Sequence, residues 1–169
     1  MPTAATIALL VNPANPPVTE AYVNDVKEAA RGLGLNITVL RARTETEIDG
    51  AFAAMVKQHV VALMVATDAF LLSRSGYIVA LALRHSIPTI YSNVEAARAG
   101  GLMSYDTNLD SAYQQQGNYV GRILNGKQPG DLEVVQPTKF NFVINMGTAK
   151  AMGLTVPPGL LSIADKIIE

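Results

Sequence analysis

The chain has no cysteine and only two histidines, His59 and His85, among its 169 residues. Without thiols it forms no disulfide, carries no thiolate nucleophile and offers no Cys-based metal site. Charge is also sparse. Asp, Glu, Lys and Arg make up 16% of the chain, and 13 basic against 14 acidic residues leave a net charge of −1. No basic field of the kind that nucleic acid or an anionic lipid surface requires is built from such a balance. Long apolar runs are missing too. The longest, 60–66 and 77–83, hold seven residues each, against the roughly 20 that a membrane span needs, so the chain reads as soluble. The opening Met1-Pro2-Thr3-Ala4-Ala5-Thr6 has no basic region, apolar stretch or cleavage site of a leader. It reads as a cytoplasmic start, or as a cut within a longer chain.

What is present points to a folded α/β domain. Hydrophobic residues form 49% of the chain, and the mean hydropathy is +0.22, a balance that excludes disorder. A chain of this size buries about 70% of its unfolded surface. Ile7-Ala8-Leu9-Leu10-Val11 is apolar without alternation, the mark of a strand covered on both faces. Asn12 to Pro17 stops it. A helix to about Leu33 follows, with Val18, Tyr22, Val26, Ala29 and Leu33 on one stripe. The unit repeats: a strand over 36–40, a helix capped by Thr44 with Glu47 three residues on, and the apolar strand 60–66. Ile48, Phe52, Met55, Val56 and His59 form the inward face of that second helix.

A helix over 71–85, a strand over 87–91, a short helix over 94–99 and a short strand over 100–104 continue the pattern. A longer helix covers 108–125, with Leu109, Ala112, Tyr113, Gln116, Val120, Ile123 and Leu124 on one face. The stretch 127–139 reads as a linker with at most one strand, 133–136. A strand over 140–145 follows, and Pro157-Pro158 opens a last helix with Leu160, Leu161, Ala164, Ile167 and Ile168 inward. Strands alternating with helices give a doubly wound, parallel sheet, with expected order 2-1-3-4-5 and the later segments added at an edge.

In such a sheet a ligand sits beyond the carboxyl ends of the strands, near the point where strand order reverses. The loops there carry Asn12 and Asn15, Thr67 and Asp68, Ser92, Asn93 and Glu95, and Ser104, Tyr105 and Asp106. Each precedes a helix, so each polar residue is either an N-cap or a ligand contact. Asp68 follows the most apolar strand and stands two residues before Phe70. A carboxylate beside an aromatic wall suits a cationic or zwitterionic small molecule.

Enzyme signatures are absent. Asn12-Pro13-Ala14-Asn15 stands where a dinucleotide fingerprint would follow the first strand, and no phosphate-binding P-loop occurs. His85 closes the third helix, where a cation suits the dipole, and neither histidine lies at the strand ends. No cluster has metal-ligand spacing, so no metal and no cofactor are expected. Signalling receiver domains share this strand order, and Asp68 and Ser92 occupy two of their positions. Val11-Asn12-Pro13 lacks their paired carboxylates for Mg²⁺, and Tyr105-Asp106 stands where their lysine would be.

From residue 84 onward the sequence resembles a known family. The segments are His85-Ser86-Ile87-Pro88-Thr89-Ile90-Tyr91, Gly100-Gly101-Leu102-Met103-Ser104-Tyr105, Tyr119-Val120-Gly121-Arg122-Ile123-Leu124, Gln136-Pro137-Thr138-Lys139-Phe140, Ile144-Asn145 and Thr148-Ala149-Lys150-Ala151-Met152-Gly153-Leu154-Thr155-Val156-Pro157. Together they resemble the carboxy-terminal half of bacterial ABC-transporter substrate-binding proteins of the tryptophan-binding type. Leu10-Val11-Asn12-Pro13 and Thr67-Asp68 fit the same pattern. The resemblance implies a periplasmic clamshell receptor of the type I binding-protein fold. Such a receptor catalyses nothing: it captures a small solute, aromatic amino acids among them, between two lobes and delivers it to a membrane permease.

The resemblance further implies that 1–104 and 138–169 form one ligand-binding lobe, while 105–137 is a crossover helix and linker associated with an amino-terminal lobe absent from this chain. The carried-over contacts are Asn12, Asn15, Asp68, Ser92, Asn93 and Tyr105. Asp68 or Glu95 would receive an α-amino group, and Phe70 or Tyr105 would stack on a ring. The family usually has Gly where Asp106 stands. Two other readings remain open: a ligand-sensing domain of the repressor type, which would carry a helix-turn-helix ahead of the first strand, and a small flavodoxin-like domain. With its partner lobe absent, the stripe on helix 108–125 is expected to be covered in a homodimer.

Overall fold

Thr6–Val11 forms β1 because its run of apolar side chains is covered on both faces: Ala8, Leu9, Leu10 and Val11 are buried. The computed structural model describes residues 5–169, so the reading of Met1 to Ala4 as a cytoplasmic start or a cut lies outside the described residues. Pro16 and Pro17 fill the first positions of α1 (Pro16–Gly32), where their missing N–H groups cost nothing. β2 (Asn36–Arg41) pairs parallel with β1. Thr44 caps α2 (Glu45–Lys57): its side chain accepts from the Glu47 N–H, while the Glu47 carboxylate accepts from the Arg43 N–H.

β3 (Ala62–Val65) lies on the other side of β1. Beyond it the expected single helix 71–85 divides into α3 (Ala69–Ser73) and α4 (Ser75–Arg84). The break has a local cause. The Ser73 and Ser75 hydroxyls donate to the carbonyls of Phe70 and Leu72, both at 2.7 Å, and Arg74 between them turns the chain. β4 (Thr89–Tyr91), α5 (Val94–Arg98) and β5 (Met103–Thr107) follow. β5 starts later and runs further than the expected 100–104, because Gly100 turns at φ +104 and Gly101 packs against Tyr91 before pairing begins.

Among the described residues the sheet has seven strands in the order β2-β1-β3-β4-β5-β6-β7, with β6 as Phe140–Asn145 and β7 as Lys166–Ile168. The doubly wound α/β reading and the order 2-1-3-4-5 therefore hold. All pairings are parallel except β5 with β6. Leu10, Leu63, Leu71, Ile78 and Tyr91 belong to one core with Ile48, Phe52 and Met55 of α2.

Several expectations fail. The final helix is only α8 (Pro158–Leu161). Ile167 and Ile168 instead form β7, which fills the free side of β6 with backbone hydrogen bonds that a helix could not supply. A further helix, α7 (Met146–Ala151), is capped by the Asn145 side chain, which also reaches the Ala97 carbonyl at 3.0 Å. The segment 133–136 is not a strand. It returns along α6 (Leu109–Leu124), tied by Tyr119 Oη to the Glu133 carbonyl and by a two-pronged Arg122–Glu133 ion pair. On α1 the buried face is Thr19, Val23 and Ala30, while Val18 and Leu33 point to solvent. His59 is not on the inward face of α2: it lies past the helix end at φ +52 and is exposed. Val56 is also exposed.

Candidate functional site

The carboxyl ends of β1, β3, β4 and β5 emerge at one edge of the sheet, and the order reverses between β1 and β3. Because β6 runs against β5, its amino end reaches the same edge. The register sets Thr107 opposite Phe140 and Tyr105 opposite Phe142. The rings of Tyr105 and Phe140 stack with centroids 5.4 Å apart and planes at 8°, and Phe142 meets Tyr105 edge-on at 6.3 Å. Tyr105 remains 51% exposed, so the pair offers a flat apolar wall to the solvent side.

Asp68 stands on the facing side, as the N-cap of α3. Its Oδ1 accepts from the N–H groups of Phe70 at 2.8 Å and Leu71 at 3.1 Å, and from Asn12 Nδ2 at 3.0 Å. Asn12 is itself fixed. Its Oδ1 accepts from the Ala14 N–H, and its carbonyl accepts from Thr19 Oγ1 at 2.7 Å. The loops after β1 and β3 are thus locked together through one carboxylate oxygen. Among the described residues, no hydrogen bond reaches the other oxygen, Oδ2.

Between the two sides lies an open cleft of about 710 Å³, with Asp68, Ser92, Asn93, Tyr105 and Phe140 in its lining. A smaller recess of about 150 Å³ continues it past Asp68 to Asn12 and Asn15, under Tyr22 of α1. The Asn15 side chain makes no cap bond. Asn93 does cap: its Oδ1 accepts from the Ala96 N–H at 2.8 Å. Six of the eight sequence candidates, Asn12, Asn15, Asp68, Ser92, Asn93 and Tyr105, therefore converge on this edge.

The other two stand apart. Phe70 turns inward against the core, with the Arg74 guanidinium 5.9 Å from its ring centroid, and lines neither cavity. Glu95 pairs with Arg98 at 2.6 Å and lines a neighbouring chamber of about 390 Å³. The aromatic wall that sequence reasoning assigned to Phe70 or Tyr105 is Tyr105 with Phe140. Nothing local to Phe140 marks it as a cleft residue, since only the β5–β6 register brings it there. Leu72, Thr107 and Leu109 also line the cleft and were not among the sequence candidates.

Asp106 lies at the boundary between cleft and chamber and lines both. Its Oδ1 is buried and makes no hydrogen bond. Burial pushes this carboxyl above the ordinary carboxylate range. The Val94 N–H, the Asn141 side chain and the Arg98 charge pull it back down, and Glu95 adds to the rise. Among the described residues, no group of three His, Cys, Asp or Glu side chains is placed to hold a metal ion. No helix among them is long and apolar enough to cross a membrane.

A doubly wound sheet with a polar, aromatic-walled cleft over its strand ends suits the capture of a small molecule. The chain matches the model of the family described as ABC transporter substrate binding protein over residues 1–168, and it belongs to that family. It is 22% identical over 136 residues to a tyrosine-binding protein of Clostridioides difficile, covering 80% of this chain and 39% of that protein. Among solved structures it resembles the ABC domain of a Streptococcus pneumoniae protein in complex with L-Trp. That match has a TM-score of 0.85 at 24% identity and covers 99% of this chain and 58% of the other. A conserved domain protein from Vibrio cholerae aligns with a TM-score of 0.86 at 22% identity, covering 99% and 56%. These likenesses establish the α/β binding-protein fold. The chain spans somewhat over half the length of those solved chains, and less of the curated relative.

Proposed function

We propose that this chain is one ligand-binding lobe of a solute receptor. The receptor would capture a small molecule bearing an ammonium group and a flat apolar body, and pass it to a membrane permease from outside the cytoplasm. The observation that carries the reading is the pairing across the cleft. Asp68 has one oxygen saturated by three donors and the other free, and it faces the Tyr105–Phe140 stack over a space of a size usual for small ligands. An ammonium group would bond to Oδ2 while a ring packs on the stack. The relatives named for tyrosine and solved with L-Trp support amino acids as the ligand class.

On this reading the β-sheet core is the lobe proper, and the expected crossover 105–137 is redrawn as α6 with the return segment 125–139, because Tyr105 to Thr107 pair with β6 inside the sheet; that segment meets a second lobe. No residue of α6 is buried against this chain's sheet. The share of its relatives that this chain spans fits a second lobe encoded elsewhere in the polypeptide. Calorimetric titration with L-tryptophan and L-tyrosine tests the function. Saturable heat that disappears with Asp68→Asn supports it. Absence of heat from a folded protein, across a panel of aromatic and aliphatic amino acids and amines, removes it.

A further inference from the structure

The charge of the cleft goes further than the shape. Among the described residues, no Lys or Arg lines the 710 Å³ cleft, whereas Asp68 and Asp106 both do. A zwitterionic amino acid would bring a carboxylate into this space with no cationic side chain to meet it. Of the helices that start at this edge, α3 and α5 are five residues each and too short to supply a substantial dipole, α1 opens on Pro16 and Pro17, which carry no N–H, and α6 opens with Asp110 in its first turn. The adjoining chamber shares Asp106 with the cleft and leans the same way. Glu95, Asp106, Asp110 and Asp165 stand there against Arg98 and Lys166. Arg98 is already engaged by Glu95 at 2.6 Å, and the Asp165 carboxylate accepts the Phe142 N–H at 2.7 Å. Asp106 is the member left short: its Oδ1 is buried without a hydrogen bond.

We infer that this lobe selects a solute of net positive charge, an aromatic amine rather than a zwitterionic aromatic amino acid, with Asp68 binding its ammonium group and Asp106 setting the preference for positive charge. The inference rests on the proposed function and narrows its ligand class. Asp106 acts through the field at the cleft wall. A cation there gains attraction from both carboxylates, while an added carboxylate on the solute loses a comparable amount.

Three indoles differing only in charge test it: tryptamine (cation), L-tryptophan (zwitterion) and indole-3-acetate (anion). Each is titrated by calorimetry into the 169-residue chain and into Asp106→Asn at low and moderate salt. Tryptamine is expected to bind about tenfold more tightly than L-tryptophan, the scale of one charge-assisted contact. Indole-3-acetate should give no measurable binding, and added salt should narrow the gap. Asp106→Asn is expected to weaken tryptamine about tenfold and L-tryptophan far less. L-tryptophan binding the unaltered chain as tightly as tryptamine overturns the inference and leaves the proposed function standing. So does a charge preference untouched by Asp106→Asn. No binding of any indole to a chain shown folded by circular dichroism overturns both. The comparison in the unaltered chain decides the charge preference even if Asp106→Asn fails to fold.

Discussion

Asp68 has two roles in this structure, and two substitutions separate them. Asp68→Ala removes the acceptor that holds the Phe70 and Leu71 N–H groups and the Asn12 amide. Loss of an N-cap costs about 0.5–2 kcal/mol. Asn12 also loses the partner that ties the β1 loop to the β3 loop, so the upper part of that range applies. For a chain of this length each kcal/mol moves the melting temperature by about 2–4 °C, so Asp68→Ala should melt several degrees lower. Asp68→Asn keeps an oxygen at the Oδ1 position and therefore the cap, and it replaces the free oxygen with an amide donor. Its stability should fall by less than about 1 kcal/mol.

Binding should respond in the opposite proportion. A lost hydrogen bond to a charged group costs about 1.5–3 kcal/mol, which is roughly 10- to 150-fold in affinity. Asp68→Asn should lose that much for an ammonium-bearing ligand while melting almost normally. The assay is paired differential scanning calorimetry and titration calorimetry on the chain and both variants. If Asp68→Asn binds the same ligand with unchanged affinity while Asp68→Ala melts low, Asp68 is a helix cap and nothing more, and the ligand's ammonium group must be sought elsewhere.

Gly101→Ala should destabilise by about 1–3 kcal/mol, the usual range for overpacking, because the new Cβ would sit 2.7 Å from a Tyr91 ring carbon and 2.8 Å from the Ala96 carbonyl oxygen; an unchanged denaturant midpoint would show that this contact yields freely. Asp106→Asn should be more stable than the unaltered chain at neutral pH. The Asp106 pKa is raised by folding, so its charged form is penalised in the folded state above that raised value, and the penalty fades as pH falls toward the ordinary 3.8; a stability difference that grows on acidification would contradict this sign. For the 169 residues alone, light scattering should give twice the 18.0 kDa chain mass, with Tyr113→Glu restoring the single mass, because Tyr113 (64% exposed) and Leu124 (81% exposed) form an apolar stripe that two copies can cover. A single mass for the unaltered chain at tens of micromolar would exclude that dimer.

The parallel half of the sheet was legible because a strand buried on both faces cannot hide its composition. Leu9-Leu10-Val11 and Leu63-Met64-Val65 read as strands without any knowledge of their neighbours, and the alternation with helices fixed their order. The last third lacked such signals. Lys166-Ile167-Ile168 is three residues long, so a period of 2 and a period of 3.6 cannot be told apart, and its state is decided by the free side of β6. α7 depends on Asn145, which bonds both Thr148 and Ala97 at once, a coincidence visible only after the chain has folded. Helix faces were legible to within one position: on α1 Tyr22 and Val26 pack against the core as periodicity expects, but the buried positions there are Thr19 and Val23, and Val18 points to solvent.

The site divides along the same line. Residues placed by a parallel strand and its following loop, such as Asn12, Asp68 and Asn93, were readable because the topology rule needs only local order. Phe140 was not, and Asp106, though named with its loop, gave no sign of its burial, because both depend on an antiparallel pairing across a long intervening segment. Tyr105↔Phe142 and Thr107↔Phe140 put three aromatics on one face of the ladder, and Asp106↔Asn141 then puts a carboxylate on the other, toward α5. A slip of one residue in that pairing would send Phe140 toward α5 and draw Asn141 to the cleft. The flat wall and the buried carboxylate are therefore set by one register. Substitutions that shift it should alter ring stacking and charge selectivity together, and a change in only one of the two would show that they are independent.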